Sequence, residues 1–355
     1  MWVRSLRVTN LRNIAAAELE LQPGLNLLVG RNAQGKTSVL EALALLARGR
    51  SFRTERLDEV VRRGSAGLSA SGLAVDGAGE SALEVRVSAG RRSLWVGGRE
   101  VVPRDYHGRL EAVVYSTDRL RVVFGPMGER RRYFDRAAAA LWPSYRQDLA
   151  DYERVVTQRN AALERRHALE PWDERLVEVG ARLRTRRGRY LGRLGGLLEQ
   201  GFSPAGERYG LCSAPDGAAD DEAAGRERLR AELQALRPQE QRRRRTLAGP
   251  HRDALGLLID GREASQCASA GQARSLLLAL TEASLEVYRQ ERGTSALALL
   301  DDLDSELDED RASAVCRRLA ASGQALVTTA HAGWARRLGP LGSVFEVDAG
   351  RVRPA

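Results

Sequence analysis

The sequence predicts an α/β fold whose main sheet is mixed and assembled from two distant parts of the chain, with a large, mainly helical lobe inserted between them. Three observations predict it. Residues 24–43, GLNLLVGRNAQGKTSVLEAL, set a phosphate-loop pattern between a strand and a helix. Residues 295–302, SALALLDD, end a second apolar strand in paired acids. The long stretch separating them is helical in period and rich in arginine.

Gly30, Gly35, Lys36 and Thr37 fit G-x-x-x-x-G-K-[ST], in which backbone N–H groups cradle phosphates and the ammonium reaches their terminal oxygens. Before the loop, Leu25, Leu27, Leu28 and Val29 form a short apolar run behind the Pro23-Gly24 turn, the mark of a buried strand. After it, Val39, Leu40, Leu43, Leu46 and Ala47 make the apolar stripe of a helix that begins near Lys36. A strand, a glycine-bearing turn and a helix N-terminus together form an anion site, because unsatisfied N–H groups and the helix dipole point at the ligand. The expected nucleotide-binding segment is therefore Gly30, Arg31, Asn32, Ala33, Gln34, Gly35, Lys36, Thr37 and Ser38. Lys36 is the only lysine in a chain that otherwise uses arginine. An ammonium is a compact point charge that fits within such a loop, whereas a guanidinium is wider and forked.

The acidic strand end completes the chemistry. A strand over Ala296–Leu300 delivers Asp301 beside Thr37, where the two can hold Mg²⁺, and Asp302 where it can orient or deprotonate water. Lys36 and Asp302 are the candidate catalytic residues for a nucleoside triphosphate. Lys36 and Asp301 are 265 residues apart, far more than one strand–helix–strand crossover, which requires an insertion between two halves of one sheet. The N-K-x-D pattern of guanine-type NTPases is excluded, since it needs a second lysine.

Composition bounds the rest. With 355 residues and 43% hydrophobic content, the chain can bury one large core or two smaller ones. No apolar run approaches the ~20 residues of a membrane span, and the N-terminus lacks a signal peptide's apolar core. A soluble, cytoplasmic protein without membrane partners is expected. Cys212, Cys267 and Cys316 are widely separated, which suggests neither a disulfide framework nor a zinc site. A net charge of +9 favours a polyanionic partner.

Within the insertion, Arg175, Arg182, Arg186, Arg189 and Arg193 fall on one side of a helical wheel. Leu176, Val179, Leu183, Tyr190 and Leu194 line the adjoining face, and Gly188 and Gly192 weaken the helix. Glu178 is the only acid between Arg175 and Arg193. With Arg242, Arg243, Arg244 and Arg245 near its end, and Arg130–Arg132 near its start, this lobe is expected to carry the contacts to a polyanion such as nucleic acid, through backbone and shape rather than sequence. Residues 216–227, DGAADDEAAGRE, suggest a mobile surface loop. Two short strands around Asp348-Ala349-Gly350 are expected to close the sheet.

Five blocks carry a family resemblance: LRVTNLRNIAAAELEL (6–21) with the phosphate loop, GRSFRT (49–54), LAGPHRDAL (247–255), SQCASAGQARSLLLALTEA (265–283) and LLDDLDSELD (299–308). The chain resembles the SMC and RecF group of ABC-type ATPase heads, and within it the RecF family. The resemblance implies an ATP- and Mg²⁺-dependent DNA-binding protein of recombinational repair and replication. It implies action at gapped or double-strand/single-strand junction DNA, an ATP-dependent homodimer, slow DNA-stimulated hydrolysis, and RecR and RecO as partners in loading RecA. It also assigns roles. Ser269, Gly271 and Gln272 stand at the ABC signature and would contact the nucleotide held by a second copy, although Ala270 replaces the usual first glycine. Arg12 and Asn13 would lie near the phosphates, His331 would be the switch histidine, and Asp304, Ser305 and Asp308 would touch the partner subunit. The insertion is too short for a long coiled-coil arm. The expected organisation is an ATPase lobe over 1–115, a helical, basic lobe over 116–245, and the rest of the ATPase lobe over 246–355.

Two other readings share these motifs: the nucleotide-binding subunit of a membrane ABC transporter, and a non-hydrolysing DNA scaffold. The basic helical insertion and the 32 residues from Ser269 to Asp301 oppose the first.

Overall fold

The computed structural model describes residues 1–201, 206–215, 221–303, 309–338 and 341–355, which group into two compact units, Met1–Arg119 with Ser284–Ala355, and Leu120–Ala283. The first unit opens with a hairpin of β1 (Trp2–Leu11) and β2 (Ile14–Glu20), closed by Arg12 and Asn13. β3 (Leu25–Val29) runs through the phosphate loop into α1 (Lys36–Arg48), matching the predicted strand and helix. β4 (Gly67–Asp76), β5 (Gly79–Ser88), β6 (Arg91–Val96) and β7 (Arg99–Val101) then extend the hairpin into an antiparallel sheet of order β2-β1-β4-β5-β6-β7. α2 (Pro103–Tyr106) and β8 (Ala112–Tyr115) end this stretch. The sheet is legible in its alternation: Leu83, Val85 and Val87 are buried while Glu84 and Arg86 turn outward.

In the second unit α3 (Arg121–Phe124), α4 (Met127–Leu141), α5 (Pro143–Arg165) and α6 (Glu170–Gln200) lead to β9 (Tyr209–Ala214) and α7 (Glu222–Arg243). β10 (Ala254–Ile259), β11 (Arg262–Glu263) and α8 (Ala264–Cys267) precede α9 (Ala270–Arg292). α6 continues unbroken through Gly188 and Gly192, because Leu176, Val179, Leu183, Tyr190 and Leu194 are all buried along it and packing outweighs the glycine penalty. Gly180 lets its neighbours approach: a Cβ there would lie 2.8 Å from the Leu229 side chain. The unit reaches Ala283 rather than 245, since β10 pairs with β9 across α7 and keeps the following residues with the inserted lobe. Of the stretch 216–227 expected as a loop, Glu222 onward is helical. Asp221 caps α7 by accepting from Ala223 N at 2.8 Å, so the following residues are helical; 216–220 lie outside the described residues.

The chain returns to the first unit at Ser284, within α9, and continues as β12 (Leu297–Leu300), α10 (Glu309–Ser322), β13 (Ala325–Thr329), α11 (Ala332–Leu338), β14 (Gly342–Asp348) and β15 (Arg351–Pro354). The second sheet has the order β15-β14-β3-β13-β12-β8, parallel except for β15, and is thus mixed and built from both ends of the sequence. α1 packs against strands of both sheets; Val39, Leu40, Leu43 and Leu46 share one core with Leu6, Val85, Leu299 and Leu326. A helix apolar nearly all round belongs in such a position. Among the described residues no helix is long and apolar enough to cross a membrane.

Candidate nucleotide site

The parallel strands end on one edge of the mixed sheet. β3 there enters the phosphate loop, β13 leads to His331, β12 to Asp301 and Asp302, and β8 to Ser116. Crevices at the carboxyl ends of such strands are where open α/β sheets bind ligands.

The loop is held from several sides. Lys36 Nζ donates to Gly30 O at 2.7 Å and Arg31 O at 3.1 Å. Asn13 Nδ2 donates to Gln34 O at 2.9 Å, and Asn13 Oδ1 accepts from Ser38 Oγ at 3.1 Å, so one side chain clamps both arms of the turn. The turn between β14 and β15 adds two contacts: Ala349 N donates to Gln34 Oε1 at 2.7 Å and Gly350 N to Gln34 O at 2.8 Å. Gly30 has no substitute here, because a Cβ would sit 2.2 Å from Val347 O. Gly35, at φ +117°, adopts a conformation that disfavours side chains.

Thr37 Oγ1 donates to Asp301 Oδ1 at 2.9 Å, and Thr328 Oγ1 does the same at 2.9 Å. Burial raises the Asp301 carboxyl above the usual range, the two hydroxyls opposing and neighbouring Asp302 adding to the rise. Two hard oxygen donors and a carboxylate that gains by acquiring a cation fit Mg²⁺, which is commonly held by one or two carboxylates together with substrate phosphates. Asp302 takes a left-handed φ of 57°, and its N–H donates to Thr328 Oγ1 at 2.8 Å. Thr328 therefore links both acids. Sequence reasoning missed it, though LVTTAH placed a hydroxyl at a strand end. Ser116 was missed too: its hydroxyl is buried without a partner at the end of β8, beside the strand bearing Asp301.

His331 is exposed, its N–H donating to Thr329 Oγ1 at 2.9 Å. Arg12 stands in the β1–β2 turn next to Asn13 and reaches α1. Its guanidinium binds the buried Glu41 of α1 through Nε and Nη2, both at 2.9 Å, and also donates to Glu59 O. The reason is the buried carboxylate, which requires a charge partner. Asn13, not Arg12, touches the loop. Beside Asn13 lies a cavity of about 790 Å³ lined also by Arg12, Asp58, Glu59, Val61, Arg62 and Arg63.

In the second unit, Ser269 and Gln272 form a reciprocal cap at the start of α9: Ser269 N donates to Gln272 Oε1 at 2.9 Å, and Gln272 N to Ser269 Oγ at 3.2 Å. Ser269, Ala270 and Gly271 are exposed. Asp304, Ser305 and Asp308 lie outside the described residues.

The arginine stripe of α6 is mostly committed within the protein. Arg182 and Arg186 both pair with Asp148 of α5, Arg175 pairs with Glu178, and Arg189 stacks over Trp142 at 5.6 Å. Arg193 also has a partner. The sequence showed few acids on α6 itself but not those facing it from another helix. Arg242, Arg243, Arg244 and Arg245 are all exposed at the end of α7. On the buried side of α6, Arg187 binds Asp135 and Asp253, and Arg184 binds Glu232 and Asp253.

Comparison with known proteins agrees with this architecture. The family model described as "RecF/RecN/SMC N terminal domain" matches residues 2–352. The DNA replication and repair protein RecF of Symbiobacterium thermophilum is 39% identical over 332 residues, 88% of this chain and 86% of that protein. RecF of Myxococcus xanthus is 34% identical over 343 residues, 93% and 90% of the two chains. A solved structure of the recombination mediator protein RecF-ATP superposes with a TM-score of 0.90 at 28% identity, covering 100% of this chain and 97% of that one. An SMC head bound to the C-terminal winged-helix domain of ScpA matches at a TM-score of 0.59 and 14% identity, which shows shared fold alone. The Symbiobacterium and Myxococcus relatives cover 88% and 93% of this chain. The chain belongs to the RecF family of DNA replication and repair proteins, within the RecF/RecN/SMC N-terminal-domain group.

Proposed function

We propose that this chain is an ATP-dependent DNA-binding protein of recombinational repair and replication, which engages gapped or junction DNA as an ATP-induced dimer and hydrolyses ATP slowly. The observation that carries the reading is the Thr37–Asp301 hydrogen bond at the carboxyl edge of the mixed sheet, beside the phosphate loop. A solved relative is described as the recombination mediator protein RecF-ATP in the RecFOR pathway, which supports ATP as the nucleotide and RecO and RecR as partners; the loading of RecA follows from the family resemblance.

ATP phosphates lie along the N–H groups of Gly30–Ser38, with the Lys36 ammonium turning from its loop carbonyls to their oxygens. The nucleoside end extends into the cavity beside Asn13. Thr37 and Asp301 would hold Mg²⁺, which would supply positive charge to the phosphate oxygens. Asp302, fixed through its backbone to Thr328, orients the attacking water and takes its proton. His331 faces the terminal phosphate from β13. Ser269, Gly271 and Gln272 of a second copy supply a helix N-terminus to the same phosphates. Their reciprocal cap presets that turn. ATP and DNA are then positively coupled ligands, and hydrolysis works as a timer that releases the dimer.

Sedimentation with gapped DNA tests this, comparing no nucleotide, ATP with Mg²⁺ and a non-hydrolysable analogue, for wild type and Ser269→Arg. The expected result is a DNA-bound dimer only with nucleotide, and a variant that binds ATP yet stays monomeric. Mass and DNA affinity that ignore nucleotide overturn the clamp. Phosphate release that stays at zero with and without DNA assigns a non-hydrolysing scaffold instead.

A further inference from the structure

The C-terminal ends of α5 and α7 meet over a pocket of about 650 Å³ whose lining includes Leu163, Leu169 and Pro238 together with Arg166, His167, Arg242 and Arg244. No carboxylate lines it. Leu163 and Leu169 are buried and form an apolar floor, while the arginines around it are exposed. The volume lies in the range of pockets that enclose small organic ligands.

Arginines at helix C-termini ordinarily offset the helix dipole, and one or two per end suffice. Here six exposed arginines, Arg165, Arg166 and Arg242–Arg245, gather at two ends. Among the described residues none of the six has an ion-pair partner. The acids beneath them are already taken: Asp173 binds Arg159 and Arg237, and Glu240 binds Arg159. The cationic excess is therefore directed outward, to an anion supplied from elsewhere. The apolar floor adds a second requirement that a bare phosphate does not meet.

We propose that this pocket seats one unpaired nucleotide of single-stranded DNA, its base against Leu163, Leu169 and Pro238 and its flanking phosphates on Arg166, Arg242 and Arg244. A base has two apolar faces and an anionic backbone on one side, which is the division of polarity the pocket presents. Unstacked bases are commonly held between ring or guanidinium planes, and His167 and the arginines offer both. Paired bases are stacked inside the duplex and cannot enter. The pocket therefore distinguishes a gap or junction from plain duplex, a discrimination that general phosphate contacts lack. This rests on the DNA-binding reading above and adds to it the feature that is recognised.

The test measures anisotropy of labelled single strand, gapped duplex and blunt duplex with the full chain. Arg166 and Arg244 sit at left-handed φ of 56° and 53°, so Arg166→Gly with Arg244→Gly removes two pocket cations at positions where glycine is at home and the fold is not strained. Arg243→Ala with Arg245→Ala is the control outside the pocket. The glycine pair is expected to weaken single-strand and gapped binding about tenfold and blunt duplex less than about twofold, whereas the control weakens all three alike. Equal loss by the glycine pair on all three DNAs, or none, overturns the pocket while leaving DNA binding intact. Failure of the wild type to bind any of the DNAs refutes the DNA reading itself. As a second readout, 5-iodouracil placed in the gap is expected to crosslink within residues 163–169 or 238–244, and crosslinks confined to other segments overturn the proposal. Displacement of single-stranded DNA by an aspartate-rich peptide, with no difference among the DNAs, assigns the pocket to an acidic protein segment and overturns it too.

Discussion

Thr37 and Asp301, 264 residues apart in sequence, are joined by a hydrogen bond of 2.9 Å from hydroxyl to carboxylate. The bond ties the phosphate loop to the acidic strand and brings together the two oxygen donors of the proposed Mg²⁺ site. Because burial raises the Asp301 carboxyl, its charge costs stability until a cation arrives. Asp301→Asn should therefore melt at the same temperature as wild type or a few degrees higher without ligand. The stabilisation by ATP with Mg²⁺, about 2.7 kcal/mol at a hundredfold excess over Kd, should disappear. Calorimetry of both proteins with and without ligand checks this; an undiminished ligand shift in the variant removes Asp301 from the metal site.

Lys36→Met should keep the fold, since the side chain is 5% exposed and of similar length, yet lose ATP binding by more than about tenfold. Lys36→Arg should retain weak binding with slowed turnover, because the forked guanidinium cannot sit against both Gly30 O and Arg31 O. Isothermal titration and phosphate release separate the two variants. Wild-type affinity in Lys36→Met would count against the assigned role.

Gly30→Ala introduces a Cβ against a backbone carbonyl of β14, so the loop or the strand must move. A loss of about 1–3 kcal/mol in stability together with loss of nucleotide binding is expected, read by denaturant unfolding and titration.

His251 accepts from or donates to Tyr152 Oη through Nδ1 at 2.6 Å, and burial lowers its pKa from 6.5 to about 4. Arg252 and Arg131 press in the same direction, while Asp253 and a hydrogen bond to Thr246 oppose. The unfolded chain binds the proton first, so this contribution is fully present above pH 6.5 and is lost as pH falls through about 4. The total loss is about 3 kcal/mol. Unfolding free energy measured from pH 7 to 4 should fall more steeply for wild type than for His251→Asn; parallel curves would refute it.

Asp253 serves Arg184 and Arg187 together, and Arg187 is nearly inaccessible. Asp253→Ala should cost about 3–5 kcal/mol by leaving buried charge underpaired, and Asp253→Asn less. Chemical denaturation measures both. A loss under about 1 kcal/mol would mean that Asp135 and Glu232 alone satisfy the two arginines.

Local pattern explains what could be foreseen. β3, α1 and β12 follow from apolar runs bounded by turn residues, and α6 from its stripe of buried leucines. The loop glycines and Lys36 announced phosphate chemistry because few sequences need that geometry. The pairing of Arg12 with Glu41 was not legible, because Glu41 lies on another element and nothing in the spacing of the two indicates a bidentate pair. The same applies to Arg182 and Arg186, whose shared Asp148 sits on α5.

The elements and the nucleotide motif were legible in the sequence because each depends on residues close together in the chain, and the long insertion because two such motifs stand 265 residues apart. Tertiary structure alone decided which charges remain outward. An arginine's availability depends on whether a carboxylate from a distant element lies within a few ångströms, and that distance is set by packing. It closes most of the α6 stripe and leaves Arg166, Arg242 and Arg244 open around an apolar floor.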